Sequence, residues 1–370
     1  MAGLVVQEWL APNGGSERVV REMLDTYPEA ELFTLWSDSR SFDDVLVRES
    51  WIARTPLRRH KAAAVPAMIP TWRRIPSDKR YDWVLASSHL FAHHARLKSQ
   101  PDAKKLVYAH TPARYIWEPS LDERGDSAAV RLASATLRPL DKRRAREATV
   151  IAANSEFTRA RIARTWGRDA TVMYPPVDTT KIRAVSDWSL RLTHKESELL
   201  ETLPDRDFLL GASRFVEYKR LELVIAAGEA AGVPVVLAGS GPDEQRLRVV
   251  ALDASVPVTF IDSPSDELLY ALYQRSLVFV FPAIEDFGIM PVEAMAAGAP
   301  VVAMSRGGVA ESIGITGGGI ALEELTPDAW KDAISRAAGM DRRVISERSD
   351  IFARARFRSE LADWLDRHVH

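Results

Sequence analysis

The chain has 370 residues, 46% hydrophobic and 27% charged, an ordinary globular composition whose length suggests two domains. Cysteine is absent, which excludes a disulfide framework, a thiolate metal site and a cysteine nucleophile together. A net charge of −2 gives no sign of a dedicated nucleic-acid binder, and the longest apolar run, Leu277 to Ile284, is interrupted by Pro282 and falls short of the ~18 residues a spanning helix needs.

The opening MAGLVVQEWL lacks a basic n-region and carries Glu8 early, so it reads as a first strand, Leu4 to Glu8, and not as an export signal. A cytoplasmic protein is the simplest expectation. Next comes Asn13-Gly14-Gly15-Ser16-Glu17, ahead of an amphipathic helix with Val19, Val20, Met23 and Leu24; the glycines permit close approach of a ligand, and Ser16 suits a helix cap. This is neither GxGxxG nor GxxxxGK[ST], which counts against hydride transfer and ATP hydrolysis by the usual loops. Residues 51–80 carry Arg54, Arg58, Arg59, Lys61, Arg73, Arg74, Lys79 and Arg80 against Asp78 alone, with Trp51 and Trp72 interleaved. Such a stretch is either a solvated face or a surface for anionic lipid.

Strands Tyr81 to Ala86 and Lys105 to Ala109 follow, and between them His89, His93 and His94 lack a carboxylate set at ligand spacing, so no metal is expected. At the second strand's end His110, in VYAHTPARYIW, is either structural or a donor or base toward a hydroxyl or phosphate. Strands Thr149 to Ala153 and Thr171 to Tyr174 complete the first half, with Asn154 and Ser155 placed to cap a helix over Phe157 to Trp166. Tyr174 to Asp178, continued by a polar stretch to Asp205, reads as the linker. Charge also divides there: residues 1–180 carry +6 and residues 181–370 carry −8.

The second half repeats the rhythm with strands Phe208 to Ala212, Val235 to Ala238, Val258 to Ile261, Leu277 to Phe281 and Val301 to Met304. Arg214 and Lys219 stand just beyond the first of these, where ligands of open α/β sheets bind; a guanidinium fork and an ammonium there suit a diphosphate, or simply begin a surface helix. Glu285-Asp-Phe-Gly-Ile-Met-Pro-Val-Glu293 leads into a helix expected over about 291–297, with Pro291 in its first turn and Gly298 after its last. Gly288 and Ile289 would then offer amides at its positive end, where anions bind, and Glu293 would lie in its first turn. A glycosidase pair formed by Glu285 and Glu293 is the competing chemistry. After Val344 the chain looks helical, with Phe352, Phe357, Leu361, Trp364 and Leu365 spaced by three or four.

These constellations, in this order and over nearly the whole chain, resemble the group 1 family of retaining glycosyltransferases. The E-x7-E pair Glu285/Glu293 within EDFGIMPVEAMAAGAPVVA is the most specific element, supported by Arg214/Lys219, by AGSGPDEQRL at 238–247 and by Gly307, Gly308 and Glu311. HTP-x-R-x-x-W around His110 is similar to the branch holding many mannosyltransferases. The resemblance implies an α/β GT-B fold: an acceptor domain over 1–178, a nucleotide-sugar domain over 179–350, the two Rossmann-like and facing a cleft, and a helix over 351–370 crossing back to the first. It implies His110, Arg214, Lys219 and Glu285 as catalytic residues, and Gly14, Gly15, Phe287, Gly288, Ile289 and Glu293 as donor contacts, with neither metal nor cofactor. The implied donor is a nucleoside-diphosphate sugar, GDP-mannose by preference, and the implied acceptor a saccharide or polyprenyl-linked saccharide, with peripheral contact to an anionic membrane and no nucleic-acid partner. UDP- or ADP-sugars with a soluble acceptor, a hydrolase or phosphorylase, and a non-catalytic nucleotide-sugar sensor are the alternatives. Gln7-Glu8 departs from the family's usual His-Asp or His-Glu, and Ile261 to Asp266 departs from its usual glycine-containing loop.

Overall fold

A computed structural model describes residues 2–12, 14–118 and 128–369; Asn13 lies outside them. The chain forms two compact units, Met1–Pro176 with Arg354–His370, and Val177–Ala353.

The first unit is built on a seven-stranded sheet, β1 (Gly3–Gln7), β2 (Glu31–Thr34), β3 (Val47–Glu49), β4 (Trp83–Ser88), β5 (Lys104–Ala109), β6 (Val150–Ala153) and β7 (Thr171–Val172), all parallel in the order β3-β2-β1-β4-β5-β6-β7. Successive side chains of a strand alternate between faces, so the sheet needs apolar cover on both. Leu4, Val6, Val84, Ala86, Val107 and Ile151 enter one core cluster, while Val5, Leu85, Leu106, Tyr108 and Ala152 enter the other. The last helix, Arg354–Val369, buries Phe357, Leu361, Trp364 and Leu365 in that second cluster beside the helix Gly15–Thr26. Arg358 ties the two helices together through Glu22 and, at 2.8 Å, Asp25.

The second unit carries a six-stranded parallel sheet, β8 (Leu209–Ala212), β9 (Val235–Ala238), β10 (Val258–Ile261), β11 (Val278–Phe281), β12 (Val301–Met304) and β13 (Gly319–Leu322), in the order β10-β9-β8-β11-β12-β13. Both units are Rossmann-like, with helices between parallel strands.

Residues 179–205 correct the linker expectation. They form helices Thr179–Arg183 and His194–Glu201 with a 3-10 turn, Trp188–Arg191, between them. Ile182, Trp188, Leu200 and Leu203 are buried; the Trp188 ring lies 4.9 Å from that of Tyr270 and its indole donates to the Ile182 carbonyl at 3.0 Å. A few large apolar groups, spread among polar neighbours, dock this stretch into the second unit. Strands β2, β3 and β13 were also not anticipated. The helix expected over Phe157 to Trp166 spans Glu156–Trp166, with Ser155 Oγ accepting the Thr158 N–H at 3.0 Å.

Candidate functional site

In each sheet the chain leaves one strand toward one edge and later returns beside it toward the other edge; crevices beyond strand ends at such switch points bind ligands. In the second unit that place lies between β8 and β11. Beyond β8 the chain passes Arg214 and makes a 3-10 turn, Glu217–Lys219, while beyond β11 it reaches Glu285. Lys219 Nζ forms an ion pair with Glu285, and the ammonium also lies 5.3 Å from the ring centres of both Phe281 and Tyr218. Lys219 is buried, whereas Arg214 is exposed and donates from Nη2 to the Tyr218 hydroxyl at 3.1 Å. Tyr218 thus links the two cations. Sequence reasoning missed it, although an aromatic ring between two cations at a strand end was the visible signal.

The helix beyond Glu285 spans Ile289–Ala296 and not 291–297, because Gly288 turns the chain at φ +88° and ψ 86°. Pro291 is therefore the third helical residue, where its missing N–H is still no loss, and Glu293 sits in the second turn, buried. Gly288 has no side chain to cap the helix, so the amides of Ile289 and Met290 belong to an end that favours anions. Phe287 turns its ring inward onto Phe352, centroids 5.4 Å apart, and so offers the site its backbone rather than its ring.

The turn at Gly307 and Gly308 supports this loop from below: the Gly308 N–H donates to the Glu285 carbonyl at 2.8 Å. A Cβ on Gly308 would stand 2.2 Å from the Asp286 carbonyl oxygen and 2.6 Å from Phe287 Cα. Gly308→Ala is therefore expected to push the loop off its support, destabilising the second unit by about 1–3 kcal/mol and weakening nucleotide binding; an overpacked backbone contact has no flexible atom to yield. Calorimetric titration with nucleoside diphosphate, with a melting curve alongside, checks this.

In the first unit the switch point lies between β1 and β4. Glu8, fully buried, turns its carboxylate onto the loop beyond β4: Oε1 accepts the backbone N–H groups of His89, Leu90 and Ala92 at 3.2, 2.9 and 2.8 Å, and Oε2 lies 3.1 Å from His89 Nδ1. His110, just beyond β5, shares a 2.8 Å hydrogen bond between Nε2 and Ser87 Oγ. Burial, with the neighbouring His89 adding to it, pushes its pKa down to about 3, so its ring is neutral at pH 7.

Gly14 is the N-cap of the helix Gly15–Thr26, with φ −104° and no capping side chain, which corrects the capping expectation for Ser16. Ser16 instead donates to Glu17 Oε2 at 2.8 Å, and Glu17 Oε1 accepts the Ala11 N–H at 2.7 Å. The carboxylate folds back over the loop, and a Cβ on Gly14 would stand 1.8 Å from it.

Among the described residues, His93, His94 and Asp141 bring potential metal-ligating atoms within 4.8 Å of one another. Asp141 is already occupied: Oδ2 accepts the indole N–H groups of Trp117 and Trp166 at 2.7 Å each, and Oδ1 lies 3.0 Å from both Nε2 atoms of His93 and His94. The ammonium of Lys105 also donates to the His93 carbonyl at 2.8 Å. This donor-rich knot, with His93, His94 and Asp141 fully buried, is built around an anion. The basic stretch is partly internal too, since Trp72 belongs to the core, Arg58 pairs with Asp38 and Arg73 with Glu147.

Two family descriptions match: "Glycosyltransferase Family 4" over residues 13–181 and "Glycosyl transferases group 1" over residues 195–350. Together they cover all but the ends and a short segment between, and the chain belongs to the group 1 glycosyl transferases. The GDP-mannose-dependent alpha-(1-6)-phosphatidylinositol monomannoside mannosyltransferase of Mycobacterium tuberculosis is 29% identical over 49% of this chain and 50% of its own length, so the chain matches about half of that relative. The Alpha-1,3/1,6-mannosyltransferase ALG2 of Rhizomucor pusillus is 26% identical over 78% of this chain and 71% of its own. Among solved structures, Anabaena HepE in complex with UDP superposes with a TM-score of 0.69 at 18% identity, covering 99% of this chain and 100% of that one. Sucrose-phosphate synthase from Thermosynechococcus elongatus gives 0.74 at 17% identity, covering 99% of each. The fold is the α/β GT-B type, with two Rossmann-like units.

Proposed function

We propose that the chain is a retaining hexosyltransferase that takes a hexose, mannose by preference, from a nucleoside-diphosphate sugar, GDP-mannose by preference, to a saccharide or lipid-linked acceptor. The observation that carries this reading is the Lys219–Glu285 ion pair at the β8/β11 switch point, with Arg214 exposed beside it. Breaking the glycosidic bond loads negative charge onto the diphosphate, and preorganised cations and amides stabilise that charge more in the transition state than before it. Arg214 and Lys219 would take the diphosphate, Glu285 with the amides around Phe287, Gly288 and Ile289 the transferred sugar, and Glu293 the ribose. Gly14 and Gly15 would bring amides to the phosphate, and His110 a neutral hydrogen-bonding ring to a sugar hydroxyl. The 1–178, 179–350 and 351–370 division would give acceptor domain, donor domain and returning helix. Mannose and GDP rest on the names of the two mannosyltransferase relatives, and the UDP complex of HepE keeps a UDP-sugar as the second reading.

Isothermal titration with GDP, UDP and ADP, repeated on Arg214→Ala, tests the donor. Preference for GDP, with affinity falling at least tenfold in the variant, is the expected result; preference for UDP would remove mannose, and undiminished binding in the variant would misplace the phosphate site.

The helix Lys61–Trp72, with Trp51, Arg54, Arg59 and Lys61 exposed around it, would meet anionic lipid, each cation adding about 1 kcal/mol. No helix among the described residues is long and apolar enough to cross a membrane. Sedimentation with anionic vesicles that weakens with salt supports this surface, and equal binding to neutral vesicles counts against it.

A further inference from the structure

Gln7 ends β1 at the switch point of the first sheet, fully buried, and among the described residues neither its amide nitrogen nor its amide oxygen has a hydrogen-bond partner. A buried carboxamide left unpaired costs about 1–3 kcal/mol per group, so such a group persists where something outside the fold completes it. Its register partners are Thr34 on β2 and Ser87 on β4, whose side chains share its face of the sheet. Thr34 is engaged, donating to the Trp36 carbonyl at 3.1 Å, while Ser87 is the residue joined to the partly exposed His110.

We propose that Gln7, with Ser87 and His110, is the specificity-determining element of a polyol site in the first unit, reading neighbouring hydroxyls of a neutral sugar or cyclitol. A carboxamide presents a donor and an acceptor side by side, which matches a hydroxyl pair, and the Ser87 and His110 groups can each give or accept a hydrogen bond. None of the three carries positive charge at pH 7, so a phosphate would find no counter-charge from them. Hydroxyl recognition by buried polar groups also discriminates strongly, because a ligand lacking the hydroxyl leaves them unpaired. The site deepens the transferase reading by naming what selects the acceptor, and it rests on that reading only for the word acceptor.

Gln7→Met keeps the side chain's length and removes both polar groups. Wild type and variant are compared in melting temperature, in GDP and UDP binding, and in binding of methyl α-mannoside, myo-inositol and inorganic phosphate, followed by the imidazole signals of His110. The expected result is an unchanged or raised melting temperature, nucleotide binding within twofold of wild type, and polyol binding weakened about tenfold or more. Polyol binding within threefold of wild type overturns the proposal, as does its absence from the wild type at 100 mM, or phosphate moving the His110 signals more than either polyol. A melting temperature several degrees lower in the variant also overturns it, because the amide would then serve the fold. Failure of nucleotide binding in both proteins, with polyol binding intact, sinks the transferase reading and leaves this site standing.

Discussion

Lys219→Ala is expected to lower the transfer rate by about two to three powers of ten, the loss typical when one preorganised group facing developing charge is removed. Two consequences combine. On the proposed reading the diphosphate would lose an ammonium held in place by Phe281, Tyr218 and Glu285, and Glu285, mostly shielded beside it, loses its counter-ion. A carboxylate stripped of its partner repels the arriving phosphates, so binding should weaken along with the rate. Lys219→Arg keeps the charge but replaces a compact ammonium by a planar fork, which the aromatic walls leave little room to turn, and should recover only part of the rate. Single-turnover measurement with saturating donor separates the terms: a loss confined to KM, with kcat unchanged, would mean that Lys219 only holds the ground state.

Much of the candidate second-unit constellation is legible in the sequence because its parts are local. Arg214, Lys219, Glu285 and Gly288 each follow a buried apolar run within a few residues, and strand, loop and helix signals are written in adjacent positions. What escaped was set by long-range packing. Asp141 sits in a run of cations, LDKRRARE, that reads as a solvated helix face, and only the fold brings His93 and His94 to it from 47 or more residues away. Gln7 stood out in the sequence only as a departure from the family's pattern; its lack of partners becomes visible once β2 and β4 flank it. Strand β3, with the sequence VRE, lies at a sheet edge and has too little apolar content to announce itself.

The Asp141 knot supports the other large expectation. Asp141→Ala should destabilise the first unit by about 3–5 kcal/mol, the range for removing one partner from a buried charged network, because the indole N–H groups of Trp117 and Trp166 and the His94 ring are left facing an apolar methyl. At roughly 2–4 °C per kcal/mol for a unit of this size, the melting temperature falls by about 10 °C or more, without any direct change at Arg214 or Lys219. The same knot sets an acid limit. Burial, helped by His93, holds the His94 pKa at about 3. Since an unfolded histidine titrates near 6.5, the unfolded chain binds a proton that the folded one refuses between those values, and stability falls as pH drops through that window. His110 adds in the same direction over the same window. Asp141 itself is held below the ordinary carboxylate range by His93 and His94 against the effect of its burial, so its contribution persists until the pH falls below about 4. Melting temperatures should therefore decline already between pH 7 and 5, ahead of carboxylate titration; a flat profile there would show that these histidines are free to charge in the folded protein.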